Sequence, residues 1–425
     1  MKGQILPAIC AALIVICMAA CGGTSNSSPG TSTASSGPIN SGSPPGGSSS
    51  GTSGSGSDSA GSGSGSASGG SNSGGSSGGR SQTAIAYAYV GTVNRSTAGI
   101  YGFSVGPDGT ATAVPGSPAT GPSSYVLTNS AFVFASDSAN IASYTRGRDG
   151  SLKQSSTTYA VLSNGSEPWA IQAMSLDHTG QTLYAMENAG SDDTYYFFFS
   201  IGPDGKITNT GKIGPNVNYV SPLVFSPDNN YAYGSGCFHI GWDITGFHRN
   251  SDGTLTRLDD RATNTAVPAY AGTGQMYCPV REAISQNGYL AVADAELGTT
   301  TTGLGAYKIN ADGSLTFVQN STVATQLTSV RGMNFDPTGQ YLALAGNGGI
   351  QMYQFMPQGT FTPVGGVQQP GTNYLGVQWD GDNHLYAISN AGLHVFTNAQ
   401  GVLTPASGSP HAAGAAGTLA VLPTH

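Results

Sequence analysis

Charged side chains are scarce in this sequence: only 8% of its 425 residues are Asp, Glu, Lys or Arg. A globular domain usually has about a quarter, so Ser, Thr, Asn and Gly must supply much of the solubility. The 14 Lys and Arg residues form no cluster, and the formal net charge is −8. These features exclude the basic surface of a nucleic-acid-binding protein and the polybasic patch that holds proteins on anionic membranes.

Long apolar segments with the 3.6-residue period of a helix are also missing, which excludes helical bundles and coiled coils. The sequence has no GxSxG nucleophile elbow, no P-loop and no GxGxxG that opens a helix. Asp192-Asp193 lacks the alternating acidic spacing of a calcium loop. No close set of Cys and His residues suggests another metal. We therefore expect no metal and no cofactor.

The N-terminus has the pattern of an export signal. Lys2 precedes an apolar run over residues 5–20, which is too short for a comfortable membrane span of about 20 residues. The run ends in Met18-Ala19-Ala20-Cys21, which resembles the bacterial lipoprotein box, in which the cysteine becomes the lipidated N-terminus. We therefore expect residues 1–20 to be a lipoprotein signal peptide; the alternative is an ordinary cleaved signal with an incidental Cys21.

Residues 21–80 continue as a tract of Gly, Ser, Thr, Pro and Asn in which Asp58 and Arg80 are the only charged residues. Such a tract has nothing to bury, and we expect a disordered linker. A flexible coil of this length would hold the next domain about 40 Å from the bilayer on average. The predicted location is the cell envelope, and Gly22, in place of Asp, favours the outer membrane in a host that has one.

Residues 81–425 contain a repeat. Seven segments run from a strand with an aromatic residue into a turn with glycine, and most then continue to Thr, as in YGFSVGPDGTAT (101–112) and GAYKINADGSLT (305–316). The turn glycines are Gly109, Gly150, Gly205, Gly253, Gly313, Gly359 and Gly401. Five of these turns are Asp-Gly, a strong signal for a tight hairpin, because glycine supplies the positive φ.

A second element alternates with the first and reads strand, polar turn, strand, as in NFDPTGQYLALAG (334–346). Together the two elements make a four-stranded antiparallel unit that recurs every 41 residues (Gly109 to Gly150) to 60 residues (Gly253 to Gly313). This spacing is typical of a β-propeller blade. The first unit lacks its inner strand, and we expect residues 418–422 to supply it and so close a seven-bladed ring.

The two elements together resemble the seven-bladed lactonase superfamily, which includes 6-phosphogluconolactonase-like proteins, carboxymuconate-cyclising proteins and YVTN-type surface proteins. NFDPTGQYLALAG and YKINADGSLTFV carry the resemblance best, and it covers the whole of residues 81–425. The resemblance implies the fold. Propellers of this kind include enzymes, binding modules and scaffolds, so the function has to be argued from the site.

Charged and aromatic residues gather in the loops predicted on one face, which carries the connections into the first strand and between the second and third strands of each blade. Arg281 and Arg331 lie near the starts of neighbouring inner strands, where a guanidinium can hold a carboxylate or polarise an oxyanion. Glu282, Glu187 or His239 could act as a general base. The expected ligand-binding residues are Trp169, Glu187, Trp242, Tyr277 and Tyr374. The alternative is that the arginines pair with nearby acids and join blades.

The comparison with the family argues against catalysis. Lactone-processing members use His, Arg and Glu side chains at the channel mouth, where inner strands often begin with Pro-His or Arg-His. Here the equivalent segments read CPVRE (278–282) and SVRG (329–332), so only the arginines match. We do not carry the family's catalytic set over to this chain.

Five cysteines occur, and removal of the signal with acylation of Cys21 would leave Cys237 and Cys278. Both map to loops on the same face of adjacent blades, where an exported domain can form a disulfide. Two buried free thiols are the alternative.

Three functional readings follow. The first is an envelope-anchored monomer whose propeller binds an unidentified ligand or envelope protein without turnover. The second is a hydrolase or isomerase of a lactone or carboxylated sugar that uses Arg281 and Arg331 with an acidic base. The third is a purely structural surface protein.

Overall fold

The computed structural model describes residues 83–93, 98–159, 170–188, 194–215, 221–238, 241–258, 265–266, 277–296, 300 and 302–424. The predicted signal peptide, Cys21 and the linker lie outside these residues. The described chain contains β-strands and no α-helix, and accordingly no helix in it is long and apolar enough to cross a membrane.

The strands form seven antiparallel sheets; five have four strands, two have five, and in each a path of four strands runs from the inside outwards. Blade 1 contains β1 (Ala86–Thr92), β2 (Ile100–Val105) and β3 (Ala111–Ala113), with β30 (Ala416–Pro423) innermost. Blade 2 contains β4 (Tyr125–Thr128), β5 (Phe132–Ser136), β6 (Asn140–Arg146) and β7 (Leu152–Tyr159). Blade 3 contains β8 (Ala170–Leu176), β9 (Thr182–Asn188), β10 (Thr194–Ile201) and β11 (Ile207–Ile213).

Blades 4 and 5 have an additional two-residue strand. Blade 4 contains β12 (Val224–Phe225), β13 (Tyr231–Phe238), β14 (Gly241–Arg249) and β15 (Leu255–Arg257), with β16 (Thr265–Ala266) beside β14. Blade 5 contains β17 (Tyr277–Ile284), β18 (Tyr289–Glu296), β19 (Thr302–Ile309) and β20 (Leu315–Phe317), with β21 (Val323–Ala324) beside β19.

Blades 6 and 7 complete the propeller. Blade 6 contains β22 (Val330–Phe335), β23 (Tyr341–Gly346), β24 (Gly349–Phe355) and β25 (Phe361–Pro363). Blade 7 contains β26 (Tyr374–Trp379), β27 (His384–Ser389), β28 (Gly392–Ala399) and β29 (Val402–Pro405). The seven-bladed all-β fold predicted from the repeats is confirmed.

The C-terminal strand closes the ring as predicted. β30 pairs antiparallel with β1, with Ala420 opposite Tyr89 and Thr418 opposite Gly91. It also contacts the inner strands of both neighbouring blades, β4 and β26. The last strand of the chain therefore completes the first blade and removes an exposed sheet edge.

The buried apolar side chains form seven clusters, and each cluster lies between two neighbouring blades. The cluster between blades 4 and 5, for example, contains Tyr233 and Ile244 from one blade and Leu290 and Val292 from the other. Each sheet therefore buries both faces against other blades, and the propeller core is a series of interfaces.

Each turn glycine packs against the blade before it in the ring. All seven have φ between 77° and 87°, which glycine adopts without strain. A Cβ at Gly313 would lie 2.4 Å from the ring of Tyr231, the first residue of β13. The other six turn glycines each face the residue at the equivalent position of the preceding blade. These residues are Tyr87, Phe132, Thr182, Tyr289, Tyr341 and His384.

The last of these contacts, between Gly109 and His384, joins blade 7 to blade 1, the blade that contains both the first and the last described strand. His384 stands at the position of the aromatic residues, and its Nδ1 lies 3.0 Å from Asp380 Oδ2. Its pKa is raised by the hydrogen bond to Asp380, and the Pro107 carbonyl of blade 1 also favours the charged imidazolium. This blade interface is therefore polar where most of the others are aromatic.

Five innermost strands have a β-bulge that the sequence analysis did not predict. The register shifts by one residue near the start of β8, β17, β22, β26 and β30. The residues left unpaired are Gln172, Val280, Arg331, Leu375 and Gly417. A bulge bends its strand and redirects the side chain that it carries.

The glycine contacts predict the effect of a substitution. We expect Gly313→Ala to lower the free energy of unfolding by about 2–4 kcal/mol, because it combines the strain of a positive φ with a clash against the Tyr231 ring. Gly288 is the matched control, since its φ is 75° and nothing lies within 4 Å of its Cβ position. Gly288→Ala should cost only the strain, about 1–2 kcal/mol. Urea denaturation of the whole chain measures both, and equal losses would contradict the packing argument.

Candidate functional site

The two arginines predicted near the inner-strand mouths lie together, on neighbouring blades. Arg281 follows the bulged Val280 on β17, and Arg331 is itself the bulged residue of β22. Arg281 Nε donates to the Arg331 carbonyl oxygen at 2.8 Å, and its Nη1 donates to the Val280 carbonyl oxygen at 2.6 Å. The guanidinium of Arg281 therefore binds the backbone of both bulges and ties blade 5 to blade 6.

Arg331 differs from Arg281 in its surroundings. Its side chain is half-buried, and its Nε is buried with no hydrogen-bond partner. Among the residues that the structure describes, no carboxylate forms an ion pair with it. For Arg331, the described contacts therefore do not support the alternative in which the arginines pair with nearby acids.

Glu282 and Asp294 form a buried acidic pair in blade 5. Glu282 stands opposite Val292, and Asp294 lies two residues further along β18, so the three side chains share one face of the sheet. That face packs on blade 4, since Val292 belongs to the cluster between blades 4 and 5. Glu282 is 7% exposed and Asp294 is 3% exposed. Glu282 Oε1 and Asp294 Oδ1 have no hydrogen-bond partner.

A serine that precedes the first strand of blade 4 binds the other carboxyl oxygen of Glu282. Ser221 Oγ donates to Glu282 Oε2 at 2.7 Å, and the Ser221 carbonyl accepts a hydrogen bond from Tyr196 of blade 3 at 2.8 Å. Burial raises the pKa of Glu282 to about 7, although the Ser221 hydrogen bond and the Arg281 charge act in the opposite direction. Burial and the nearby Glu282 charge also raise the pKa of Asp294 well above its usual range.

The acids and the arginines therefore face different interfaces. Arg281 stands opposite Ala293, on the other face of β17 from Glu282, and Ala293 belongs to the cluster between blades 5 and 6. The structure brings Arg281 to Arg331 and Glu282 to Asp294. It does not place Glu282 and Arg331 in a shared set of contacts.

The remaining predicted residues lie in several environments. Glu187 is fully buried at the end of β9, in the strand position that Asp294 occupies in blade 5. Tyr374 is 1% exposed and packs on the rings of His394 and Phe396, so its ring is in the core between blades 6 and 7 and not open to a ligand. The backbones of Trp242 and Tyr277 pair with Cys237 and Glu296. Trp169 and His239 lie outside the described residues.

Cys278 is disulfide-bonded and buried. The side chain of Cys237 lies outside the described part of the structure, so the pairing of Cys237 with Cys278 stays a prediction.

A serine–histidine contact in blade 7 was missed by the sequence analysis. Ser389 Oγ lies 2.8 Å from His394 Nε2, and the Ala391 N–H donates to the same oxygen. Burial lowers the pKa of His394 to about 4. The neutral imidazole and the hydroxyl thus satisfy each other across the tight turn between β27 and β28. The only sequence signal for this contact was the five-residue spacing of Ser389 and His394 on the two strands of one hairpin.

Among the residues that the structure describes, no group of three or more His, Cys, Asp and Glu side chains is arranged to hold a metal ion.

The raised pKa of Glu282 predicts how stability depends on pH. A buried acid whose folded pKa is about 7, against 4.5 when unfolded, binds more protons in the folded state between those values. Stability should therefore fall by up to roughly 3 kcal/mol as pH rises from about 4.5 to 8. We expect Glu282→Gln to reduce this slope in denaturant titrations at each pH. The exposed Asp204→Asn, which changes the charge equally, should leave it unchanged; a slope that persists in Glu282→Gln would assign the effect to another group.

No protein-family model matches the chain, and a comparison with curated proteins gives no match either. Solved structures do match. A candidate 6-phosphogluconolactonase from Bacteroides fragilis is 18% identical, with a TM-score of 0.60 over 79% of this chain and 98% of that one. A second candidate 6-phosphogluconolactonase, from Bacteroides uniformis, is 18% identical, with a TM-score of 0.59 over 80% and 100%.

A functionally unknown protein from Desulfotomaculum acetoxidans is 15% identical, with a TM-score of 0.55 over 79% of this chain and 98% of its own. At these identities the likeness concerns the fold. The chain folds as a seven-bladed propeller of the kind found in 6-phosphogluconolactonase-like proteins.

Proposed function

We propose that the propeller binds a small anionic ligand at Arg331 without turnover. One observation carries the proposal: Arg331 is a half-buried guanidinium whose buried Nε has no hydrogen-bond partner and which has no ion-pair partner among the described residues. Arginine keeps its charge in proteins, and a buried unpaired donor is costly. A carboxylate or phosphate that binds the accessible side of the guanidinium would compensate the charge.

The contacts of Arg281 support binding at a fixed position. Its two hydrogen bonds to the carbonyls of Val280 and Arg331 hold the backbone that carries the Arg331 side chain. A fixed backbone reduces the conformational freedom that the site would lose when a ligand binds. We therefore assign Arg331 to the ligand and Arg281 to the positioning of Arg331.

The placement of the acids favours binding over turnover. A general base must reach the proton that it removes, directly or through one water. Glu282 faces blade 4 and is held there by Ser221, whereas Arg331 belongs to blade 6. The described contacts put no base beside Arg331, and this supports binding without turnover.

Lactone hydrolysis is the second candidate function. The pKa of Glu282, about 7, suits a general base at neutral pH. Arg281 is close enough for its charge to lower that pKa. Two structures with this fold are candidate 6-phosphogluconolactonases. If turnover occurs, Glu282 would activate water, and Arg331 would hold the acid group of the substrate.

The binding proposal is tested with Arg331→Gln. Calorimetric titration of the whole chain with gluconate, 6-phosphogluconate and inorganic phosphate should show at least one ligand whose affinity falls about tenfold or more in the variant, since a hydrogen bond to a charged group contributes about 1.5–3 kcal/mol. Arg148→Gln is the control, because Arg148 is exposed in a turn on the opposite face. Equal affinities for the wild-type and Arg331→Gln proteins would contradict the proposal.

Turnover is measured separately. We expect no hydrolysis across a panel of sugar and aliphatic lactones. Activity that is lost in Glu282→Gln and in the Arg281→Ala/Arg331→Ala double variant, at matched thermal stability, would favour the enzyme. A chain that binds no anion through Arg331 and turns over no lactone would fit a structural surface protein.

We also propose that the mature protein is a monomer exported to the cell envelope and anchored by a lipid on Cys21. The lipoprotein box and the Gly/Ser-rich tract behind it support this. Metabolic labelling with palmitate should mark the protein and direct it to the detergent phase of a Triton X-114 extract. Cys21→Ser should remove the label, and a label that persists in this variant would contradict anchoring at Cys21.

A further inference from the structure

The bulged residues of the innermost strands share one property. Gln172, Val280, Arg331, Leu375 and Gly417 are all half-buried. The residue before each of them is buried: Ile171, Pro279, Val330, Tyr374 and Ala416. Innermost strands surround the axis of a closed ring, so the area that they leave exposed opens on the axial channel or its mouth. The five bulges therefore place a partly accessible residue of each of these blades at the channel or its mouth.

Three of these residues belong to consecutive blades. β17 contacts β22, and β22 contacts β26, so Val280, Arg331 and Leu375 follow one another around the ring at the same strand position. A Cβ at Gly332 would lie 2.7 Å from the Cα of Gly376, which shows how closely the strands of blades 6 and 7 approach. Arg281 fixes the bulges of blades 5 and 6 to each other.

The neighbours of Arg331 in this row are both aliphatic. Val280 packs partly on the core between blades 5 and 6, and Leu375 packs partly on the core between blades 7 and 1. Each leaves the rest of its surface exposed. Arg331 thus stands, in strand position, between two residues with aliphatic side chains, and neither of those side chains carries a donor or an acceptor.

We propose that this row selects a carboxylate with an apolar chain next to the charged group, in preference to a polyhydroxylated sugar acid. The inference rests on the proposed anion site at Arg331. Each CH₂ group buried against Val280 and Leu375 should tighten binding about fourfold. The hydroxyls of a sugar acid would lose their bonds to water there and gain no partner.

Octanoate and gluconate test the proposal, because both have one negative charge and differ in the polarity of the chain. Calorimetric titration of the whole chain should give a dissociation constant for octanoate at least about tenfold lower than for gluconate, equivalent to about two buried CH₂ groups. Arg331→Gln should weaken the binding of octanoate. Equal affinities, or tighter binding of gluconate, would overturn the inference.

Leu375→Asn and Val280→Thr test the row itself. Both keep the size of the side chain approximately and replace hydrocarbon by polar groups. We expect each to weaken octanoate about fivefold or more and to leave gluconate within twofold. The control is Leu127→Asn, on the innermost strand β4, which has no bulge. Leu127 is also half-buried. Thermal denaturation identifies any variant that does not fold.

The outcomes separate the inference from the proposal beneath it. If both probes bind through Arg331 with equal affinity, the anion site stands and the apolar selectivity is wrong. If neither probe binds and Arg331→Gln changes nothing for any anion, the proposed function and the inference both fail. If Leu127→Asn weakens octanoate as much as Leu375→Asn does, the effect belongs to general destabilisation and the row is wrong.

Discussion

The packing of each blade on the next is the interaction on which this structure depends. Seven apolar clusters lie between blades, and each is shared by two sheets. A single four-stranded sheet of this kind would expose both faces, so no blade has a core of its own. The same interfaces set the positions of the turn glycines, because a side chain at Gly150 or Gly205 would collide with Tyr87 or Phe132 of the preceding blade. Closure by β30 is therefore required for all seven interfaces to exist at once.

This arrangement determines what can vary near the axis. Innermost strands approach one another closely, as the contact between Gly332 and Gly376 shows, and their paired side chains pack into the blade interfaces. A bulge releases one residue from this constraint without breaking the sheet. Five blades use it at the same position, so the chemistry at the channel mouth can differ from blade to blade while the scaffold stays constant.

The sequence was sufficient to predict the blades and their closure. Asp-Gly turns and alternating aromatic strands are encoded locally, and the unpaired segment at 418–422 had one sheet edge left to fill. The bulges could not be predicted, because Gln172, Arg331 and Leu375 have no common residue type. The burial of Tyr374 was missed for a related reason: an aromatic residue that begins an inner strand looks the same whether its ring enters the channel or the core. Residues near the channel mouth could be identified from the sequence. Which of the two blade interfaces Arg281 and Glu282 each face could not, because that depends on the register after the bulge.

The buried acids and the half-buried arginine of this site differ in whether they can become neutral. A buried carboxyl can keep its proton, and the raised pKa values of Glu282 and Asp294 show this adjustment. The pair therefore needs no external cation to be tolerated in the interface between blades 4 and 5. A guanidinium has no such option, because it does not lose its proton at any physiological pH. Arg331 must be compensated by an anion or remain only partly desolvated, and its half-buried position permits both states. For this reason the arginine, and not the more deeply buried acids, is the group from which a ligand can be inferred.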